Sequence, residues 1–488
     1  MDPILYWNEV ALEANRRDFT EVPAGKENPA PEQGGPTLSS RALAIVHLAM
    51  YDAYAGASNY PAANLPAYLN PAVPAPMGAP LSEDGKAAAV AAAAHATLSA
   101  LYPRQKAHFD ESYAAAGLTG GAEVAKGHQF GLLVAAKLLQ ERADDPGAGD
   151  DGYAASIARG AHRIDPDNPD QGYHAPYYGA RSKPFAIGMK HPLDAPPQPG
   201  DPAYMIAFRE VRTKGIAPEL MGIIPLPGAR NADETLIGIF WGYDGAVGLG
   251  TPPRLYNQIV RKVAVAENND IDKNARLFAL VNAAMGDAGI LAWEEKYRFD
   301  FWRPVVGIRE HDESMGPAGT GNNNIDDLCH SLWLPFGAPS SNSSGKNFTP
   351  PFPAYPSGHA TFGAAALHMT RLFYGIPVGD RGNDPLFNNL TLVSDELNGI
   401  NKDNRGTVRP RHVRSFPGGL WRMIIENGRS RVYLGVHWVF DAFAVDTNNT
   451  PNLNANVGGV RLGLEIAEEI WNFGGTKGPK KSPVMPTI

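Results

Sequence analysis

Long segments with helical periodicity dominate this sequence and restrict the folds that it can adopt. The longest periodic segment runs from residue 272 to about residue 302, and residues 41–57 are apolar on nearly every side of the predicted helix. A helix without a polar face is expected at the centre of a fold rather than on its surface. Few segments show the alternation of apolar and polar residues that is typical of strands. The sequence therefore predicts an all-α protein.

The predicted helices form two groups, which a long irregular segment at residues 143–201 separates. We divide the chain at this segment into an N-terminal helical half, residues 1–200, and a C-terminal helical half, residues 201–488. The other helices are predicted at residues 3–17, 82–102, 104–116, 122–142, 203–213, 232–243, 251–266, 357–374, 386–397, 420–434, 438–445 and 459–473. Ser39 or Ser40 is expected to cap the helix at 41–57, and the tail from residue 474 is expected to be loosely held.

Charge and composition exclude several classes of protein. The net charge of −8 over 488 residues argues against a nucleic-acid partner. Cys329 is the only cysteine in the sequence, so no intrachain disulfide is expected. The acidic N-terminal segment lacks the pattern of a signal peptide, and no apolar run is long enough to span a bilayer. We expect no membrane span, and secretion is left open.

The stretch Pro356-Ser357-Gly358-His359 predicts a turn that opens a buried helix. Pro356 disfavours helix in the residue before it, and Ser357 is a good N-cap. Gly358 lets the backbone approach a ligand closely. The free N–H groups and the positive end of the helix dipole then favour an anion at this turn.

Two basic clusters accompany this turn. Lys296 and Arg303 are seven residues apart, which in one helix places them about 20° apart in azimuth and roughly 10 Å apart along the axis. Trp293 shares that face, and Pro304 is expected to stop the helix at Arg303. The two long cationic side chains are therefore expected to reach a common anion.

The second cluster contains Arg431 and His437, which are six residues apart. Gly435 offers a break between them, so Arg431 is expected to end one helix and His437 to begin the next. Asp441 follows His437 by four residues and can fix the tautomer of the imidazole, although a capping or surface role is an equal alternative. Together with the turn at Ser357, the clusters suit a multiply charged tetrahedral oxyanion. His437 is left to attack or coordinate the central atom, and His359 is left as the acid–base group.

The three motifs in this order resemble a known signature. Lys296-x6-Arg303-Pro304, Pro356-Ser357-Gly358-His359 and Ser430-Arg431-x5-His437 are similar to the signature shared by vanadium-dependent haloperoxidases and the type 2 phosphatidic acid phosphatase superfamily. Further stretches resemble vanadium chloroperoxidases of the fungal type, at residues 41–54, 241–254, 348–355, 395–399 and 435–438. The resemblance implies two packed helical bundles of the four-helix type, with the active site in the second and vanadate as the cofactor.

The resemblance also implies a role for each site residue. His437 would coordinate vanadium axially, His359 would bond the apical hydroxide and help to deprotonate hydrogen peroxide, and Asp244 would pair with Arg431. Trp293 and Phe352 would line the halide site, with plain core packing as the alternative. The equatorial oxygens of vanadate would be held by Lys296, Arg303, Arg431, Ser357 and the Gly358 N–H.

The implied activity is the oxidation of chloride or bromide by hydrogen peroxide to hypohalous acid. In it vanadate acts as a Lewis acid, and Lys296 polarises the peroxide. The pattern leaves room for a small organic acceptor and for a monomer or a homodimer. One alternative is an acid phosphatase of the same superfamily, with His437 as the nucleophile and His359 as the general acid. Another is an oxyanion-binding protein without catalysis.

Overall fold

The computed structural model describes residues 2–20, 30–60, 64–118, 120–222 and 228–488. Helices account for 48% of the structure and strands for 4%, so the all-α prediction is confirmed. In the described ranges the helices are α1 Pro3–Asp18, α2 Gly35–Ala57, α3 Glu83–Leu101, α4 Lys106–Ala115, α5 Ala122–Glu141, α6 Tyr178–Arg181, α7 Pro202–Lys214, α8 Ala232–Phe240, α9 Pro252–Ala266, α10 Ile271–Phe299, α11 Pro304–Arg309, α12 Gly358–Phe373, α13 Gly419–Tyr433, α14 Val439–Ala442 and α15 Gly459–Ile470. Two antiparallel pairs of short strands complete the list, β1 Thr391–Leu392 with β2 Arg414–Ser415 and β3 Ala444–Val445 with β4 Pro451–Asn452.

Helix α10 lies at the centre of the fold, between α2 and α12. Gly289 permits this close packing, because a Cβ atom there would lie 2.9 Å from the Ser40 hydroxyl of α2 and 3.3 Å from the ring of Phe362 in α12. Among the described residues, α10 is the one helix that is long and apolar enough to cross a membrane, but 94% of its apolar window is buried inside the protein. It is therefore the core helix that its apolar sequence predicts.

The start of α12 is held in place by α15. A Cβ atom on Gly459 would lie 2.4 Å from the Ser357 carbonyl oxygen, and one on Gly463 would lie 2.4 Å from the Thr361 carbonyl oxygen. The backbone of α15 thus lies directly against the first turns of α12, at a distance that only glycine allows. This contact fixes the position of the predicted anion-binding turn.

One hydrophobic core extends through both predicted halves of the chain. Helix α2 belongs to the first half and packs on α10 of the second. Because the two halves share this core, the division of the chain into two domains at residue 200 stays a prediction from the sequence.

Helix α2 begins six residues before its predicted start. Pro36 lies in its first turn, where the missing N–H has no cost. The hydroxyls of Ser39 and Ser40 donate to the carbonyl oxygens of Gln33 and Thr37, at 2.9 Å each, and neither caps the helix. The predicted cap was therefore wrong.

Two predicted helices in the C-terminal half were wrong in whole or in part. Residues 386–397 contain β1 and a single 3₁₀ turn at Asp395–Leu397, and residues 438–445 contain the four-residue α14 followed by β3. Both segments are short apolar runs, whose periodicity does not separate a helix from a strand. Pairing with a later strand decided the outcome: Thr391 pairs with Ser415, 24 residues on, and Ala444 pairs with Asn452, eight residues on.

The C-terminal tail is held more firmly than its composition predicts. The Ser482 N–H donates to the Phe185 carbonyl at 2.9 Å, and the Thr487 N–H donates to the Ala180 carbonyl at 2.8 Å. Lys481 also forms an ion pair of 2.6 Å with Glu141. The irregular segment at 143–201 supplies the two carbonyl groups, so the tail and this segment hold each other.

Candidate functional site

A cavity of about 520 Å³ brings most of the predicted site residues together. Residues from the second and third motifs line it. Lys296, Arg303 and Ser357 do not line the cavity and lie fully buried behind its wall. The predicted residues on the lining are Trp293, Phe352, Gly358, His359, Arg431, His437 and Asp244.

The turn at Ser357 forms the predicted helix start. Ser357 is the N-cap of α12, and its hydroxyl accepts the Ala360 N–H at 3.4 Å. The N–H groups of Gly358 and His359 lie in the first turn and have no acceptor within the helix. A Cβ atom on Gly358 would lie 3.3 Å from the Trp293 ring, so the backbone and this indole meet at the cavity wall.

Arg431 lies in the last turn of α13 and is fully buried. Its Nη2 donates to Asp244 Oδ1 at 2.9 Å, which gives the predicted ion pair. Its Nε and Nη1 have no hydrogen-bond partner among the residues that the structure describes. An unpaired buried charge is costly, and because Arg431 lines the cavity together with His437, its two unpaired donors favour an anion at this place.

Arg303 reaches the site by a different route from the predicted one. Helix α10 ends at Phe299, because Asp300 adopts a left-handed backbone conformation with φ of 48°. Arg303 follows as the N-cap of α11, and its Nη1 donates to the Val436 carbonyl at 2.8 Å and to His437 Nε2 at 2.9 Å. Its Nη2 has no partner within the described part of the chain. Burial lowers the pKa of Arg303 to about 9, which still leaves the side chain charged at neutral pH.

His437 follows the break at Gly435, where φ is 73°, and precedes α14. Its Nδ1 lies 2.8 Å from Asp441 Oδ2, and the Trp438 N–H donates to the same oxygen at 2.9 Å. Asp441 is fully buried, so it orients the imidazole and caps α14 at once, and the alternative surface role was wrong. When Asp441 is ionised, as the nearby Lys296 and Arg303 favour, its carboxylate only accepts, so Nδ1 carries the proton and the Nε2 lone pair accepts from Arg303 Nη1. Burial raises the pKa of Asp441 to about 7, although Lys296 and Arg303 act in the other direction.

Lys296 is fully buried under the central turn. Its ammonium group donates to the carbonyl oxygens of Pro353, Ala354 and Pro356, at 2.8, 3.1 and 2.5 Å. All three donors are thus in use, and a direct contact with a bound oxyanion requires one of them to be shared. Burial and the nearby Arg303 lower the pKa of Lys296 well below its usual range.

His359 has one ring nitrogen committed to the protein. Its Nε2 donates to the Gly242 carbonyl at 2.9 Å, which leaves the Nδ1 lone pair for a ligand. Burial, and then the positive charge of Arg431, lower the pKa of His359 well below its usual value. The imidazole is therefore uncharged at neutral pH, and its Nδ1 lone pair is left to accept a hydrogen bond.

The two predicted aromatic residues form one wall of the cavity. The ring centroids of Trp293 and Phe352 are 4.7 Å apart at an interplanar angle of 53°. The Lys296 ammonium lies 5.6 Å from the centroid of Trp293 and 5.1 Å from that of Phe352. Both rings pack against neighbours and also face the cavity, so core packing and contact with a ligand are compatible.

Sequence reasoning missed His174, which lies in the irregular segment at 143–201 and lines the same cavity. Its ring centroid is 6.0 Å from that of Trp293 and 6.0 Å from that of Phe352. Its carbonyl accepts the Trp293 indole N–H at 3.3 Å. The length of the segment was the available signal, since long connections often carry function.

Comparison with known protein families and with known proteins gives the same result, vanadium chloroperoxidase. The family descriptions that match are the vanadium chloroperoxidase N-terminal domain, over residues 1–184, and the second helical-bundle domain of the same family, over residues 276–448. The chain is 35% identical over 586 aligned residues to the vanadium chloroperoxidase of Curvularia inaequalis, covering 99% of this chain and 92% of that protein.

Solved structures are similar in fold. A bacterial vanadium-dependent iodoperoxidase matches with a TM-score of 0.62 and 20% identity, over 95% of this chain and 96% of that one. An apo-type bacterial vanadium-dependent chloroperoxidase matches with a TM-score of 0.61 and 16% identity, over 91% of this chain and 95% of that one.

Proposed function

The chain belongs to the vanadium chloroperoxidase family, and on this premise we propose that it is a haloperoxidase that oxidises chloride and bromide with hydrogen peroxide to hypohalous acid. The observation that carries the proposal is the group of buried guanidinium nitrogens without partners, Arg303 Nη2 and Arg431 Nε and Nη1 among the described residues, beside the imidazole of His437. Such a donor set fits a tetrahedral oxyanion, and for this family we take that oxyanion to be vanadate.

Each residue of the site has a proposed part in holding vanadate. His437 Nε2 would coordinate vanadate in place of its contact with Arg303 Nη1, since Asp441 keeps the proton on Nδ1. The N–H groups of Arg303, Arg431 and Gly358 and the hydroxyl of Ser357 would bond its other oxygens. Lys296 would add positive charge from behind the turn, because its donors already bond three carbonyl groups.

When bound, vanadate would supply Lewis-acid chemistry that makes hydrogen peroxide electrophilic without a change in the oxidation state of the metal. The protein would contribute proton transfer and charge. His359 Nδ1 would take a proton from hydrogen peroxide, while its Nε2 stays bonded to the Gly242 carbonyl. Arg303 and Arg431 would spread negative charge over their guanidinium groups. Trp293 and Phe352 would keep water away from the attacking halide.

One assay tests this proposal against its alternatives. Halogenation of monochlorodimedone with hydrogen peroxide is measured with bromide and with chloride, with and without added orthovanadate, and hydrolysis of p-nitrophenyl phosphate is measured in parallel. Halogenation that depends on vanadate supports the haloperoxidase. Hydrolysis that vanadate inhibits, without halogenation, indicates an acid phosphatase with His437 as the nucleophile. Neither activity, with tight binding of vanadate, indicates an oxyanion-binding protein.

The use of chloride is expected to depend on the wall formed by Trp293 and Phe352. Phe352→His and Trp293→Ala should each lower kcat/KM for chloride about tenfold, or about 1.4 kcal/mol, and that for bromide less. Chloride is the more strongly hydrated halide, so its kcat/KM should fall more than that of bromide when a polar residue or a gap admits water. Initial rates with the two halides, at fixed peroxide and vanadate, measure the ratio. Phe373→His, outside the cavity, is the matched control, and an unchanged ratio in both test variants would remove the two residues from the halide site.

A further inference from the structure

The cavity is much larger than a halide ion requires. Its volume of about 520 Å³ lies in the range of pockets that enclose organic ligands. Away from the residues proposed to hold the oxyanion, most of its lining is apolar or aromatic. These apolar lining residues include Phe19, Leu38, Phe348, Pro350, Pro351 and Phe362. A lining of this kind favours a flat, uncharged guest.

Among the described residues on this part of the lining, His174 is the polar side chain that is available to a guest. The Thr251 hydroxyl, also on the lining, already donates to Asn15 Oδ1 at 3.1 Å. His174 is held firmly, because its N–H donates to the Pro351 carbonyl at 2.9 Å and its carbonyl accepts the Tyr297 hydroxyl at 2.7 Å. A ligand would therefore meet a rigidly placed imidazole beside the aromatic wall.

The tautomer of His174 follows from its neighbour Thr37. The Thr37 hydroxyl is buried, lies 2.9 Å from His174 Nε2, and has no other acceptor in the described ranges. A buried hydroxyl keeps its hydrogen bond, so it donates to Nε2 and the ring proton of His174 lies on Nδ1. Burial lowers the pKa of His174 to about 4, so the ring is neutral at neutral pH. Nδ1–H is then a donor without a protein partner among the described residues.

We propose that this cavity binds the organic acceptor of the halogen, that the acceptor is a neutral phenol, and that the His174 Nδ1–H donates to the phenol oxygen. This inference rests on the proposed haloperoxidase function. A phenol matches each observation: its oxygen accepts one hydrogen bond, its ring packs on Trp293 and Phe352, and it carries no charge into an apolar lining. His174 is thus a positioning residue for the substrate.

The chemical step balances without a further reagent. Hypohalous acid, formed from hydrogen peroxide and halide, transfers its halogen to a ring carbon next to or opposite the hydroxyl-bearing carbon. A carbon–halogen bond forms as the halogen–oxygen bond breaks, the ring carbon loses its proton, and that proton leaves with the released hydroxide as water. Hydrogen peroxide remains the oxidant, and the phenol is the group that is oxidised.

Binding is tested first, on the full-length protein without peroxide. Fluorescence titration with 2-naphthol is compared with titration by naphthalene, which has the same rings and no oxygen. His174→Phe should weaken 2-naphthol binding about tenfold and leave naphthalene binding within about twofold. His174→Asn should restore 2-naphthol binding to within about threefold, because the amide nitrogen of Asn is also a donor. His412→Phe, outside the cavity, is the matched control and should change neither.

A second readout concerns the product. The ortho to para ratio of brominated phenol should differ from that of added hypobromous acid, and it should return to the reagent ratio in His174→Phe. The proposal would be overturned if His174→Phe weakened the binding of 2-naphthol and of naphthalene equally. It would also be overturned if the wild-type protein gave the same ortho to para ratio as added hypobromous acid. Selective 2-naphthol binding that depends on His174, in a protein without vanadate-dependent halogenation, would support the phenol site and overturn the proposed activity instead.

Discussion

Replacing His437 with Ala is expected to lower vanadate-dependent bromide oxidation by about a thousandfold or more. Loss of a group that only orients a metal ligand costs about 10- to 100-fold, and loss of the ligand itself should cost more. Two contacts orient the imidazole ring of His437, one between Nδ1 and Asp441 and one between Nε2 and Arg303. The measurements are the initial rate of monochlorodimedone bromination at saturating orthovanadate and the affinity for orthovanadate.

Two further variants serve as the comparison and the control for His437→Ala. Asp441→Asn should lower the bromination rate about 10- to 100-fold, because it disturbs the contact at Nδ1 and keeps the imidazole of His437. His128→Ala should keep full activity, because that imidazole bonds to the Tyr113 hydroxyl at 2.7 Å and lies outside the cavity. Activity of His437→Ala within about tenfold of the wild type would contradict the proposed role of His437 as a vanadate ligand.

The second large effect is expected for Arg431→Met, which removes a cation and also breaks a buried ion pair. Asp244 would remain buried without its partner, which costs about 3–5 kcal/mol of unfolding free energy. The oxyanion would lose the two guanidinium donors that have no protein partner in the described residues, and kcat should fall about 100- to 1,000-fold. Urea denaturation and the bromination assay measure the two effects separately.

The double variant Arg431→Met/Asp244→Asn separates the two causes. It should recover most of the lost stability, since no unpaired charge remains, and it should not recover activity. Arg429→Met, two residues earlier on the same helix, breaks the ion pair with Glu210 at 2.8 Å and should lose stability without loss of halogenation. Recovery of activity in the double variant would show that Arg431 acts only by neutralising Asp244.

Local signals predicted the elements that carry the site. Ser357 caps α12 as a serine before a buried helix should, and Gly435 breaks the chain between Arg431 and His437 as predicted. These features depend on neighbours within a few residues, so they can be predicted from the local sequence. The predicted continuation of α10 to Arg303 failed, because Asp300 adopts a left-handed conformation that neither Pro304 nor the helical period indicates.

Contacts between distant segments were beyond sequence reasoning. The sequence suggested that Lys296 reaches an anion directly, but the folded chain places three carbonyl groups of residues 353–356 around its ammonium group. His174 gave no periodic signal, and it reaches the cavity because its backbone bonds to Pro351 and Tyr297. The same holds for β1 and β2, whose pairing replaced a predicted helix.

The sequence by itself determined the helical class, the family and which residues are proposed to hold an oxyanion, because periodicity, caps and motif spacing are local properties. Only the tertiary structure decided which donors are free and which are already bonded. Arg303 and Arg431 keep unbonded N–H groups among the described residues, whereas Lys296 has none. The physical reason is burial: a charged group that folding removes from water must find its partners among groups far away in the sequence, and packing alone chooses them.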